Sequence, residues 1–354
     1  MSVAIPSSLP VAASLLKRAR CPEDVFGKDG SVIQDIYREL AKLVHEDLAP
    51  ADQKPIAHEA FILLTKLYEA AQGKVTKGTY GDGKGMVVAT LRTKTAAYIL
   101  SSLLSSDDIA DFYESTIEGS DTKALVKLVR SPSNNDLMRM EADVLAKVKE
   151  EITDPQMLSY FPTLIDSFEV GAGRARERAN VFGWAEGMIT LEDVHSAIPS
   201  LDPRDAAWMW NRLIEALHFL HSLGYIHGAV TPDSFLINPV THRGTLINFC
   251  YATKIGGVVK AISPRWKPEY PAEILEKHPV DTSTDIYMAA RCLKALIANN
   301  MPDPIAALLK ACLLGRAHRI NSARDLHEDF KKTLVRLYGP RAFKVFEWPP
   351  KKGA

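Results

Sequence analysis

The stretch that decides the fold is His227–Tyr251, which reads HGAVTPDSFLINPVTHRGTLINFCY. Two apolar groups, Phe235–Ile237 and Leu246-Ile247, flank a polar turn. Short apolar runs separated by turn residues are typical of a hairpin of buried strands. The preceding segment, Asp202–Leu223, is apolar almost all round and opens with Asp-Pro, as a capped helix does. The sequence therefore predicts a buried helix, a polar loop and a β-hairpin in that order.

This arrangement resembles the protein-kinase family, whose catalytic loop reads H-R-D-L-x-P-x-N and is followed by D-F-G. His227 and Pro232 keep their places in that pattern. The catalytic residues do not, because Ala229 stands at the position of the base, and Ser234 and Asn248 stand at those of the two metal-binding residues. The resemblance implies a kinase scaffold from which the phosphotransfer chemistry has been removed.

The segment before the loop is similar to the small lobe of that family. Asp107 occupies one of the three glycine positions of the phosphate-binding loop, where a carboxylate repels phosphate. Lys127 takes the place of the strand lysine, and Glu141 that of its helix partner. The resemblance implies nucleotide binding by Lys127 and Glu141. A structural tie between strand and helix is the alternative, since the rest of the phosphate-binding machinery is missing.

Three residues further along match structural positions of the same family. Glu273 in YPAE resembles the glutamate that closes the activation segment, and Arg319 is its candidate partner. Asp285 is expected to accept hydrogen bonds from the backbone of the loop near His227. Residues of this kind stabilise the scaffold and carry no chemistry.

The N-terminal part predicts a helical hairpin. Apolar residues recur at three- and four-residue steps after Ser31, which we expect to cap a helix that ends at Val44. A second apolar stripe predicts a helix over Ile56–Gln72, ended by Gly73.

The tripeptide His45-Glu46-Asp47 joins these two helices. With the lengths around it, it makes the unit resemble a J domain, a family that docks on a seventy-kilodalton heat-shock chaperone through H-P-D. Glu46 replaces the proline, and the first helix carries acidic as well as basic residues. The resemblance implies docking through His45 and Asp47, and a solvated loop is the alternative.

Composition excludes several classes of function. Lys plus Arg equals Asp plus Glu at 43 each, which argues against binding nucleic acid by bulk charge. The 4 cysteines are widely spaced and indicate neither a zinc site nor a disulfide framework. No run approaches the roughly 18 apolar residues that span a membrane. We expect a cytoplasmic protein with reduced thiols.

Together these patterns predict an α+β chain in which a J-like helical hairpin precedes a bilobal protein-kinase-like fold. The expected segments are a disordered arm (1–20), the J-like domain (21–73), a linker with a strand (74–97), the small lobe (98–188), the large lobe (189–340) and a tail (341–354). The expected function is that of a non-catalytic pseudokinase adaptor that binds protein partners, a heat-shock chaperone among them, without ATP or magnesium. The alternatives are an atypical phosphoryl or nucleotidyl transferase that uses Lys127, Glu141 and Asp233, and a J-type cochaperone.

Overall fold

The computed structural model describes residues 6, 8–19, 21–27, 29–50, 52–76, 78, 80–81, 89–120, 122–340 and 342–349. The chain divides into two compact units. The first comprises residues 1–107 and 111–127, and the second comprises residues 108–110 and 128–354.

The first unit begins with helices and continues into a sheet. The helices are α1 (Leu9–Arg18), α2 (Pro22–Phe26), α3 (Ile33–Val44) and α4 (Lys54–Thr76). The strands are β1 (Ala89–Arg92), β2 (Ala97–Ser106), β3 (Ala110–Ile117) and β4 (Lys123–Val129), which lie side by side in that order. The pairs β1–β2 and β2–β3 are antiparallel, and β2 carries two register shifts against β3.

The predicted disordered arm is wrong for residues 9–18, which form α1. Leu9, Ala12, Ala13 and Leu16 are buried in one cluster with apolar residues of α3 and α4. These four residues recur at three- and four-residue steps and therefore share one face of a helix. Burial of that face stabilises α1, because a helix of ten residues with few large apolar side chains is marginal in water by itself.

Both ends of the predicted hairpin also differ from expectation. Asp29, and not Ser31, is the capping residue, since its carboxylate accepts a hydrogen bond from the Ser31 amide (2.9 Å) at the start of a 3₁₀ turn that precedes α3. Helix α4 runs past Gly73 to Thr76. Its last turn is held by Lys74, whose ammonium group donates to both oxygens of the nearly buried Glu23 carboxylate (2.9 and 3.0 Å).

The second unit is mainly helical. Its helices are α5 (Asn135–Glu151), α6 (Pro155–Leu158), α7 (Leu191–Ala197), α8 (Pro203–Ser222), α9 (Ala272–Leu275), α10 (Thr282–Ile297), α11 (Asp303–Cys312) and α12 (Ala323–Tyr338). Its strands are β5 (Leu164–Val170), β6 (Glu177–Gly183), β7 (Ile189–Thr190), β8 (Tyr225–Ile226), β9 (Phe235–Ile237), β10 (Gly244–Leu246) and β11 (Thr253–Lys254). β5 and β6 form a hairpin, β10, β9 and β7 form a three-stranded sheet, and β11 pairs with β8.

The stretch that decides the fold has the predicted structure. β9 and β10 are antiparallel, with Phe235 opposite Leu246. Before them, α8 starts after Asp202, whose carboxylate accepts a hydrogen bond from the Arg204 amide (2.8 Å). The fully buried Trp210 ties α8 to α10 and α12, because its indole N–H donates to a carbonyl of α10 and its ring meets Phe330 edge to face. This core fixes the position of the loop between α8 and β9.

No helix in the described part of the chain combines the length and the apolar character needed to cross a membrane.

Candidate functional site

The loop after β8 is held by one buried carboxylate. Asp285 is fully buried and accepts hydrogen bonds from the amides of His227 (2.7 Å) and Gly228 (2.9 Å). It also lies 2.9 Å from Nε2 of His221. The His227 ring is in turn 2.8 Å from the Ile247 carbonyl oxygen. The expected role of Asp285 is confirmed, and the loop is fixed at its first two residues.

Gly228 stands where the kinase family has an arginine. Its backbone conformation and its surroundings leave no room for an arginine side chain. Its φ is +75°, in the left-handed region that glycine tolerates. A Cβ there would lie 2.7 Å from the Tyr251 carbonyl oxygen and 2.9 Å from Cγ2 of Val259. The space of the missing side chain is therefore filled by the segment that follows β10.

At two of the three catalytic positions, no side chain is available to act as a base or to bind a metal ion. Ala229 is 2% exposed and has no atom that accepts a proton. The Ser234 hydroxyl, in a residue that is 1% exposed, accepts from the Thr231 amide (2.9 Å) and donates to the Thr231 carbonyl (2.8 Å). The hydroxyl therefore closes the turn of the loop and has its polar capacity occupied by the backbone.

Asp233, the carboxylate considered for a shifted metal site, is also engaged. Its Oδ1 accepts from the Thr231 hydroxyl (2.5 Å), and its Oδ2 accepts from the indole N–H of Trp266 (2.8 Å). Each oxygen therefore already has a donor within the protein, and the contact with Trp266 joins residues too far apart in the chain for a local pattern to predict it. The bonds assign Asp233 to fixing the segment around Trp266.

The third catalytic position, Asn248, keeps the frame of the family's D-F-G and loses its charge. Asn248 has a φ of +69°, a conformation that asparagine adopts more readily than most residues. The next residue, Phe249, is fully buried and its ring meets that of His227 edge to face at 5.0 Å. The apolar packing of this segment is thus independent of an aspartate at 248.

These residues do not fit the magnesium-bound triphosphate that the kinase fold implies. Phosphoryl transfer needs a base near the acceptor hydroxyl and two groups that hold metal on the phosphates. Here the three positions carry a methyl group, a backbone-bonded hydroxyl and a neutral amide. Among the residues that the structure describes, no cluster of three or more His, Cys, Asp or Glu is arranged to hold a metal ion.

The turn between β2 and β3, in the place of the glycine-rich loop, has an acidic tip that is tied to the segment after β10. Both oxygens of Asp108 accept from the hydroxyl of Tyr251 (3.1 and 3.0 Å). The next residue, Ile109, is buried, and its carbonyl accepts from the Arg130 amide (2.9 Å). The turn is thus anchored by a carboxylate where a kinase offers free amides to phosphate.

Lys127 and Glu141 are both buried, at 1% and 2% exposure. Lys127 ends the first unit, and its ammonium group lies 5.4 Å from the centre of the Phe112 ring. Glu141 belongs to α5 in the second unit and accepts from the amide of Asn180 (2.9 Å). Their joint role in nucleotide binding stays a prediction, whereas the Asn180 bond gives Glu141 a structural role of its own.

Ion pairs hold the segment that the motif Tyr270–Glu273 closes. The nearly buried Glu273 and Arg319 pair at 2.5 Å, as expected from the sequence. Upstream, Lys260 pairs with Asp136 of α5 at 2.7 Å. Contacts between unmodified side chains therefore fix both parts of this segment.

In the first unit, the tripeptide after α3 forms an exposed, ordered loop. Nδ1 of His45 accepts from the Asp47 amide (3.3 Å), and the His45 ring meets Phe61 of α4 edge to face at 5.8 Å. Glu46, in the place of proline, has its carboxylate 3.1 Å from Nδ1 of His58 on α4. The loop is thus tied to α4 by a polar contact in place of a rigid ring.

The basic residues of α3 are neutralised within the helix. Lys42 pairs with Glu39 at 2.6 Å, and Arg38 lies 3.9 Å from Asp35. These four residues and His45 line a shallow depression on the exposed face of α3. A basic helix face is therefore replaced by one of mixed charge.

Comparison with solved structures identifies the fold. Similar chains include the structure of vaccinia related kinase 3, with a TM-score of 0.54 and 18% identity over 71% of this chain and 91% of that chain. They also include the crystal structure of the BubR1 kinase domain, with a TM-score of 0.57 and 14% identity over 78% of this chain and 93% of that chain. No family model matches the sequence.

The chain therefore has the fold of a protein kinase. The identities are too low to carry more than the fold. The loop geometry adds that this kinase-like protein lacks the base and the metal-binding groups of phosphoryl transfer at their usual positions.

Proposed function

We propose that this chain is a non-catalytic kinase-like protein that acts as an adaptor, binding protein partners through its kinase-like part and through the J-like helices at its N-terminus. The proposal includes a cytoplasmic location and no requirement for ATP or magnesium. In this role the kinase-like scaffold recognises other proteins through its surface and does not transfer phosphate.

One observation carries the proposal. The loop from His227 to Ser234 keeps its structural anchors, while the Ser234 hydroxyl and the Asp233 carboxylate are hydrogen-bonded inside the protein. The Ser234 hydroxyl closes the turn, and Asp233 binds Trp266 and Thr231. A general base alone contributes about 10²–10⁴-fold to an enzymatic rate, and Ala229 supplies none.

The test against the transferase alternative is a thermal-shift titration of the full chain with ATP and magnesium, separately and together. We expect the melting temperature to stay within experimental error in all three titrations. A ligand at 100 times its Kd stabilises a folded protein by about 2.7 kcal/mol. ATP at about 1 mM would therefore raise the melting temperature visibly if its Kd were about 10 μM or lower. A shift that requires both ligands would refute the proposal.

A restored variant makes the test stricter. The triple substitution Ala229→Asp, Ser234→Asn and Asn248→Asp puts the family's residues back at all three positions. We expect no transfer of phosphate from ATP to the chain or to a generic protein substrate. The triple variant still has Gly228 in place of the family's arginine and Asp107 in place of a loop glycine, and Ser234→Asn opens the turn that the Ser234 hydroxyl closes. Appearance of transfer in the triple variant but not in the natural chain would show that only these three side chains had been lost. Transfer by the natural chain would favour the enzyme.

A second candidate function is that of a J-type cochaperone, favoured by the exposed and ordered loop at His45 and Asp47. The mixed charge of α3 argues against it. Stimulation of a seventy-kilodalton chaperone ATPase that is lost in His45→Gln would support it. His278→Gln, at an exposed histidine of the second unit, is the matched control. Equal ATPase rates with and without the chain would exclude this function for the chaperone tested.

A further inference from the structure

Among the described residues, the four most exposed large apolar side chains of the second unit lie in three segments. Val240 (61% exposed) belongs to the turn between β9 and β10, and Val335 (56%) belongs to α12. Phe343 (60%) and Val345 (46%) belong to the tail after α12. Soluble proteins seldom expose several large apolar residues in one place unless that place binds a partner. We call the surface that these four residues form the tail face.

Contacts within the second unit bring the three segments together. The Phe343 ring lies 4.7 Å from the ring of His242, which belongs to the turn between β9 and β10. The amide of the residue after Val345 donates to a carbonyl of the same turn (3.0 Å). His242 and Val335 both line a cavity of about 480 Å³ between α8, α12 and the tail. The apolar residues therefore lie on one continuous surface.

The tail face also carries positive charge at the rim of this cavity. Arg204, Lys331 and Lys344 line the cavity and are exposed. Arg204 and Lys331 form no ion pair with any residue that the structure describes, and the Arg204 guanidinium lies 5.1 Å from the centre of a tyrosine ring of α12. Arg212, the fourth basic residue of the lining, is different because it pairs with Glu215 (3.1 Å).

The acidic groups of the same region are already engaged. The Asp202 carboxylate caps α8 by accepting a hydrogen bond from the Arg204 amide (2.8 Å). Asp205 faces Lys344, and both line the cavity. Glu347, further along the tail, is not free either. The charge that the tail face offers to a partner is therefore positive.

We propose that the tail face binds a segment of a partner protein in which aspartate or glutamate alternates with large apolar residues. Arg204 and Lys331 attract the carboxylates, and Val335 and Phe343 cover the apolar side chains. Protein interfaces combine an apolar centre with a polar rim of complementary charge. A nucleic acid suits this surface less well, because interfaces with nucleic acid are more polar throughout. The proposal rests on the adaptor function and names the chemistry of one partner.

The probes are three fluorescein-labelled dodecapeptide pools, whose binding to the full chain is measured by fluorescence polarisation. The first pool alternates random apolar residues with aspartate or glutamate. The second has asparagine or glutamine in place of the acids, and the third has serine in place of the apolar residues. We expect the first pool to bind at least about tenfold more tightly than either of the others.

Salt separates the two contributions to this binding. Raising the ionic strength from about 0.1 M to about 1 M shortens the Debye length from about 10 Å to about 3 Å. The advantage of the first pool over the second should therefore fall to less than about threefold, because only the first pool depends on charge. An advantage that persists at high salt would show that Arg204 and Lys331 do not attract the segment.

Matched variants locate the site. Lys331→Glu should weaken binding of the first pool about fivefold by reversing one charge. Lys254→Glu, at an exposed lysine of β11, should leave it unchanged, because β11 pairs with the strand that follows the other end of α8. Val345→Ser should weaken it about threefold, whereas Ile255→Ser, at 45% exposure beside β11, should not. Val335→Ser repeats the test within α12, so that a disturbed tail cannot account for the loss.

The outcomes separate this proposal from the proposed function. Equal binding of the first and second pools, binding unchanged by Lys331→Glu, or the absence of binding by every pool would overturn the site. A labelled oligothymidylate that binds as tightly as the first pool would overturn it as well, since phosphate alone would then account for the attraction. None of these results changes the titration with ATP and magnesium, which tests the non-catalytic function by itself.

Discussion

Replacement of Asp285 by alanine is expected to destabilise the second unit by about 4 kcal/mol, since each buried donor left unsatisfied costs about 1–3 kcal/mol. The carboxylate is fully buried, and the amides of the buried residues His227 and Gly228 depend on it. These two amides alone contribute about 2–6 kcal/mol, and the contact with His221 adds to the loss. A single domain is stable by only about 5–15 kcal/mol, so the variant should lie close to the limit of folding.

The tryptophans make this measurement specific to one unit. All 5 of them lie between residues 184 and 348, within the second unit. Urea unfolding followed by tryptophan fluorescence therefore reports the unit that contains Asp285. The midpoint is expected to fall while the slope against urea stays the same. Asp303→Ala, which removes an exposed carboxylate from the start of α11, is the control and should change the stability by no more than about 1 kcal/mol.

A loss of less than about 1 kcal/mol in Asp285→Ala, the size of a surface substitution, would refute the reasoning. It would mean that the loop is held in place by the packing of Phe249 and not by the carboxylate. Asp285→Asn provides an intermediate point, because it keeps one acceptor oxygen and should lose less than alanine does.

Three further results are expected. Gly228→Ala should destabilise the second unit by at least about 1–2 kcal/mol, the cost of a side chain in the left-handed region. The loss should be larger still because the new Cβ would lie 2.7 Å from a carbonyl oxygen. A urea midpoint unchanged by this substitution would contradict the loop geometry. Burial lowers the pKa of His218 and of His327 below the ordinary 6.5. The unfolded chain therefore binds protons at a higher pH than the folded chain, and the free energy of unfolding should fall as the pH drops below about 6.5. Replacing both histidines by glutamine should reduce the difference in stability between pH 7 and pH 5.5, as measured by urea unfolding. Lys74→Met leaves the nearly buried carboxylate of Glu23 without its cation and should lower the stability of the first unit by about 3–5 kcal/mol. Hydrogen exchange of the α4 amides measures this loss. Exchange at the rate of the natural chain would show that the ion pair is dispensable.

Much of the second unit follows from local patterns. The Asp-Pro start and the apolar residues of α8 predict a buried helix, and the two apolar pairs predict β9 and β10. The resemblance to kinases adds contacts between distant residues, and those of Asp285 and Glu273 are present. Such positions are predictable because the amides of His227 and Gly228 need a buried acceptor and the nearly buried Glu273 needs a cation.

The N-terminal helix shows where local patterns are insufficient. Between Leu9 and Leu16 the buried face of this helix carries only Ala12 and Ala13. A ten-residue helix with such a face is marginal in water. It forms because α3 and α4 offer an apolar surface that covers it. The prediction of a disordered arm was wrong for residues 9–18 because the surface that stabilises this helix lies elsewhere in the chain.

The sequence by itself determined that a kinase scaffold lacks its base and its charged metal ligands, because Ala229, Ser234 and Asn248 are identities that no packing can change. Only the tertiary structure decided how the vacated positions are used. The closure of the Ser234 hydroxyl on Thr231, the Trp266 bond of Asp233 and the cavity around Asp205 each depend on backbone geometry or on residues far apart in the chain. Composition fixes which groups exist, but hydrogen bonding and burial depend on distances that only the folded chain sets.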